Sequence, residues 1–199
     1  MKYSLFTLLL LTLVSCAVNR VIINSDGNVY SDLMDPGKVI SGLPNLFVET
    51  VIDEREMKAN IGLAKTGTLG DFSPIETSRP FQEEVKYVLE KQFLKKGFLI
   101  SSASKNVLKI NIHKFELRES PPRTVPERSY CNLGAKIHFY SVDEKRDVLI
   151  SNVNIELSSP ESFDATKYLD KTFVTCLAQL VSKLAIDPKV QDVLRFSYK

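Results

Sequence analysis

Two histidines, two late cysteines and one adjacent pair of carboxylates are the side chains in this 199-residue sequence whose types and spacing invite a chemical reading. His113 and His138 lie in separate strand-like runs, and imidazoles on neighbouring strands could share a metal ion. A competent site wants three or four ligands in place. Only two are offered, so neither metal nor cofactor is expected. Glu83 and Glu84 could act as general acid and base, but a solvated helix face explains them better. Gly62, Gly67 and Gly70 follow a strand and suggest a phosphate loop, yet they match neither the dinucleotide fingerprint nor the P-loop spacing. No nucleophile, base and orienting residue stand at a recognisable catalytic spacing, and the chain is expected not to be an enzyme.

The third cysteine, Cys16, has a different setting. Lys2 supplies a positive start, Leu5 to Val14 is an uncharged apolar run, and Ser15-Cys16 ends it. That is the n-region and h-region of a secretory signal, too short to span a bilayer, which takes roughly 20 apolar residues. Leu13-Val14-Ser15-Cys16 resembles a bacterial lipobox. The resemblance implies that Cys16 is lipidated, that residues 1–15 are cut away, and that the new amino terminus is acylated. Several acyl chains on one residue anchor stably, since each buried CH₂ adds about 0.8 kcal/mol. The membrane partner is then reached through Cys16 alone, because no second apolar run of spanning length exists.

An exported chain meets an oxidising compartment, where disulfides persist. Cys131 lies on the apolar side of the strand Cys131, Leu133, Ala135, Ile137, Phe139, and Cys176 on the apolar side of a later helix. The two pair if that helix packs on that strand. Otherwise they are inert core thiols, a common fate for cysteine. No Cys-x-x-Cys pattern points to a redox role.

Composition sets the remaining bounds. With 44% hydrophobic and 25% charged residues the chain reads as a globular domain. The formal charge of +2 falls by one when Lys2 leaves with the signal, and such near-neutrality argues against nucleic acid as a partner.

The elements that must position these residues follow in order. Residues 16–44 are rich in Asn, Asp, Gly and Pro and read as a lipidated tether or irregular arm, with short pairings at most at Val21-Ile22-Ile23 and Val29-Tyr30. Residues 45–199 form a single domain. Leu46 to Asp53 is a strand, and Glu54 to Gly67 a long loop. Ser78 or Thr77 caps a helix with Pro80 in its first turn, whose stripe is Phe81, Val85, Val88, Leu89 and Phe93, ending at Lys96-Gly97. Phe98 to Ser101 and Asn106 to Leu117 read as one hairpin, and Ser129 to Ser141 with Val148 to Leu157 as another. Between them, Glu119 to Glu127 carries three prolines and is an exposed loop. A second helix runs from about Asp164 to Leu184, and Val190 to Phe196 adds a last turn or short helix after Asp187-Pro188.

Together the lipobox, the strand ending Val51-Ile52-Asp53-Glu54-Arg55, the helix running into Lys96-Gly97-Phe98, the strand Leu108 to Ile112 and the closing helix resemble the YajG family of bacterial lipoproteins. The resemblance implies an α/β envelope domain with no established enzymatic activity. Ala17 directly after Cys16, by resemblance to the enteric sorting rule, favours the outer membrane, facing the periplasm.

The reading is therefore an α+β fold, a mostly antiparallel sheet with two helices packed on one face, in β-α-β-β-β-β-α order. In function it is a lipid-anchored, non-enzymatic binding or assembly module with a protein partner in the envelope, met through the wet sheet face or the loops. The alternative is an auxiliary lipoprotein of a lipid or small-molecule transport system. An envelope hydrolase using His113, Glu83 or Glu84 ranks last.

Overall fold

The computed structural model describes residues 20–26, 45–65, 71–121, 126–162 and 165–196. Cys16, the signal, the tip of the proline loop at 122–125 and most of the 16–44 arm, Val29-Tyr30 included, lie outside the described residues. Val21–Ile23, strand β1, lies within them. β2 follows at Asn45–Asp53, β3 at Gly62–Lys65, β4 at Phe72–Thr77, helix α1 at Phe81–Lys95 and β5 at Leu99–Ile100. Then come β6 at Asn106–Glu119, β7 at Ser129–Ser141, β8 at Arg146–Ser158, a 3₁₀ turn at Ala165–Tyr168, α2 at Leu169–Ile186 and α3 at Pro188–Phe196.

The expectation of a mostly antiparallel sheet with two helices fails. Among the described residues the eight strands form one mixed sheet curled into a half-barrel, and three helices accompany it. Four of the seven strand pairings are parallel: β1 with β4, β2 with β5, β2 with β6, and β3 with β6. The first expected hairpin does not exist. β5 and β6 flank β2 on opposite sides, both parallel to it. Their connection is a crossing over the start of β2, tied down by Ser101 N–H to the Leu46 carbonyl at 3.0 Å and by the Ser104 hydroxyl to the Asn45 carbonyl at 2.8 Å. The expected long loop after β2 is also corrected, because it holds β3 and, after it, the antiparallel β4.

The second hairpin is present as β7 and β8, antiparallel over nearly their whole length, and β7 pairs just as fully with β6. Along β6, Leu108, Ile110 and Ile112 are buried while Lys109 and Asn111 are not, the alternation of a sheet covered on one side. Both long helices cover that side. The ring of Phe115 on β6 lies 5.2 Å from that of Phe81 on α1 and 5.4 Å from that of Phe173 on α2, so the three meet in one core.

The stripe expected on α1 is buried, and Gly97 at φ 97° turns the chain so that Phe98 packs edge-on against Phe93 at 5.2 Å. Its start differs from expectation. Pro80 itself is the N-cap, with no side-chain cap, and the Ser78 hydroxyl instead donates to Glu84 at 3.0 Å. Glu84 is fully buried and not on the wet face. It also accepts from the Ser25 hydroxyl and lies 3.6 Å from Arg79, so it fastens the end of β1 to α1. Cys131 on β7 and Cys176 on α2 are joined as a disulfide, with Cα atoms 6.3 Å apart and both side chains buried. Among the described residues no helix is long and apolar enough to cross a membrane.

Candidate functional site

β6 is longer than either neighbour on its second edge, and this makes the main irregularity of the fold. β2 accompanies β6 as far as Ile112, where Glu54 N–H donates to the Ile112 carbonyl at 2.8 Å. β3 takes over only at Leu117, whose N–H donates to the Ile61 carbonyl at 2.7 Å. Between them, no strand among the described residues lies beside residues 113–116 on that edge, and the sheet forks. Strands that part leave a crevice between them, the kind of place where open sheets hold ligands.

Asp53 and Arg55 fix the fork. Two residues apart on an extended chain, they point the same way, and Arg55 grips Asp53 through Nε and Nη2, both at 2.8 Å, while Nη1 donates to the Asn60 carbonyl at 3.0 Å. The guanidinium also lies 4.1 Å from the centroid of Phe81. Burial by itself would raise the Asp53 pKa, but the side-chain and main-chain hydrogen bonds from Arg55 outweigh it and hold the carboxyl below its ordinary value. One clamp thus closes the loop from β2 to β3 and docks it on α1.

On the solvent side of the fork lies a cleft of about 890 Å³. Met57, Leu63 and Phe72 form its apolar wall, and His113, Lys114 and Arg118 of β6 line the other side. A β-bulge between Ile112 and Lys114 shifts the register there, so that His113 and Lys114, consecutive residues, are both exposed. The His113 ring lies over Gly134 of β7, whose missing side chain leaves room for it: a Cβ at Gly134 would come within 2.6 Å of His113 Nε2. Gly62 opens β3 for a related reason. Its φ is +151°, and a Cβ there would fall 1.6 Å from the Leu117 carbonyl oxygen.

Beyond the cleft the outer face of the sheet continues, and no helix among the described residues lies upon it. Lys109, His138 and Ile150 form one row across β6, β7 and β8, and Asn111, Lys136 and Asn152 the next. Lys109 pairs with Glu49 at 3.2 Å and lies over Tyr140 at 4.8 Å; His138 Nδ1 meets Asp147 at 2.8 Å. This is a polar, aromatic-studded surface with isolated apolar residues such as Ile52 and Ile150.

No family model matches the chain, and no curated protein does. Its fold is that of solved structures. A Xanthomonas campestris protein described as DUF330 shares 11% identity with this chain, covers 84% of it and 92% of its own length, and superposes with a TM-score of 0.52. A minor lipoprotein from Acinetobacter baumannii shares 6% identity over 74% of this chain and 94% of its own, at a TM-score of 0.41. At these values the first likeness speaks for a shared fold and the second carries no weight by itself.

The residues singled out from the sequence scatter. His113 sits in the cleft, while His138 lies on the outer face bonded to Asp147, and among the described residues no group of three or more His, Cys, Asp or Glu is placed to hold a metal ion. Glu83 is exposed and Glu84 buried, so the two carboxylates are not a catalytic pair. Cys16 lies outside the described residues. What the sequence reading missed is the cleft and its clamp; the period-two spacing of Asp53 and Arg55, running on from Val51 at the end of a strand, was the available signal.

Proposed function

We propose that the chain is a lipid-anchored envelope protein of YajG type, held through Cys16 on the periplasmic side of the outer membrane, which acts by binding a protein partner and not by catalysis. Its apolar leader, the Leu13-Val14-Ser15-Cys16 motif and the residue pattern of the domain support the anchor and the type. The observation that carries the binding role is the one-sided sheet. Helices α1 and α2 cover the inner face, whereas among the described residues no helix covers the outer face of β6, β7 and β8, which carries rows of Lys, Asn, His and Tyr side chains. A bare sheet face with cation–aromatic pairs and isolated apolar residues has the mixed character of a non-obligate interface. Photo-crosslinking from that face in living cells tests it. The second reading, an auxiliary lipoprotein of a lipid or small-molecule transport system, draws on the apolar wall of the cleft and requires a bound lipid to stand.

A further inference from the structure

We infer that the cleft at the fork of the sheet takes an extended, apolar segment of a partner protein bearing an acidic side chain, and that the segment is held by strand addition to residues 113–116 of β6. The inference rests on the binding role proposed above and names the site within it. Three observations lead to it.

The first is the missing strand. Among the described residues, hydrogen bonding on this edge of β6 stops at the Ile112 carbonyl and resumes at the Leu117 N–H. Phe115 borders the cleft with its ring buried against Phe81 and Phe173, and because the Leu117 N–H points to this edge, the alternation of a strand points the main-chain N–H and carbonyl of Phe115, two residues back, to the same edge. An extended peptide satisfies such main-chain groups as a sheet neighbour does.

The second is the wall. Met57, Leu63 and Phe72 are 83%, 48% and 44% exposed, and three of the large exposed apolar side chains therefore converge on one cleft. Clustered exposure of this kind marks a binding surface, whereas scattered exposure does not.

The third is charge. Arg55 is committed to Asp53, and Arg118 to Glu116 at 3.8 Å and to the Tyr130 ring at 5.0 Å. Of the carboxylates lining the cleft, Glu54 accepts from Asn111 at 2.6 Å, Glu116 faces Arg118 and Glu119 accepts from the Lys65 N–H at 3.0 Å, while Glu56 lies on the β2–β3 connection, apart from β6 in the chain. On β6 itself, among the described residues, the side chains of Lys114 and His113 have no hydrogen-bond or ion-pair partner. The bulge turns both outward at the place where an incoming strand would lie. A carboxylate on the segment completes Lys114.

The test uses the full chain purified in detergent and a phage-displayed library of random dodecapeptides. The expected result is enrichment of peptides that combine apolar residues with an Asp or Glu. The tightest of them should bind about tenfold more weakly to Leu63→Glu and to Lys114→Glu, and no more weakly to Ile186→Ala, at the exposed end of α2 away from the cleft and from the outer face. Replacing the peptide's acid by Lys should restore binding to Lys114→Glu. Enrichment of nothing, or of peptides indifferent to both substitutions, overturns the inference. So does an acyl-chain lipid in the native mass spectrum that Leu63→Glu abolishes. Because outer-face crosslinking is scored separately, failure here with crosslinks intact removes the cleft and leaves the binding role standing.

Discussion

The guanidinium of Arg55 meets the carboxylate of Asp53 side-on, with both nitrogen–oxygen distances at 2.8 Å, directly beneath the point where β2 and β3 part. Both side chains are almost wholly buried. Removing one partner of such a pair leaves an uncompensated charge in the interior, which costs more than the pair itself contributes.

Asp53→Asn is therefore expected to lower the unfolding free energy at neutral pH by about 3 kcal/mol, measured by urea denaturation. The pH dependence has a definite sign. The Asp53 pKa is depressed in the folded chain, so its contribution is complete above the unfolded value of about 3.9 and is lost as pH falls through the lower folded one. The Asp53→Asn chain should lose less stability than the parent across that acid range. Parallel curves would show that Asp53 does not carry the effect.

Gly62→Ala is expected to destabilise by at least about 2 kcal/mol, because a positive φ and a contact with the Leu117 carbonyl coincide at one Cβ. Gly134→Ala should cost far less. There the obstacle is the end of the exposed His113 side chain, which can swing away. Thermal melts of the two variants should rank them in that order.

The bond between Cys131 and Cys176 closes a loop with a sequence separation of 45. Thiol titration of the unfolded, unreduced chain should find neither cysteine reactive, and reduction should lower stability by about 2–4 kcal/mol. Two reactive thiols would remove the cross-link from the account.

Phe93→Ala should cost about 3–5 kcal/mol, since Phe93 of α1 is buried and packs edge-on against the Phe98 ring. A loss below half a kcal/mol would mean that the α1 stripe does not face the core.

What was legible in the sequence was what local periodicity decides. The α1 stripe, the β7–β8 hairpin and the alternation along β6 each follow from spacing within one segment. Strand direction does not. The parallel placement of β5 and β6 about β2 is set by the crossing at Ser101 to Lys105, and a short polar turn of that length reads equally well as a hairpin. β3 and β4 were hidden by Gly62 and by Pro74, residues that ordinarily argue against a strand. Glu84 was misplaced for another reason. It sits three residues after Phe81 and four before Val88, on the buried stripe by helical geometry, and only its charge suggested water; two serine hydroxyls and Arg79 make its burial tolerable. The cleft could not be read from any single segment, because it arises where two strands leave a third.

The proposed anchor has its own check. Cys16→Ala should release the chain from the membrane fraction, and continued membrane association would contradict lipidation at that residue.

The most direct test of the account is photo-crosslinking in living cells from a reactive residue placed at Lys136 or Asn152 on the outer face, compared with Gln82 or Ile186 on the helices. The account predicts a discrete protein adduct from the first pair and none from the second. Adducts from the helix positions alone, or none from the outer face, would contradict it.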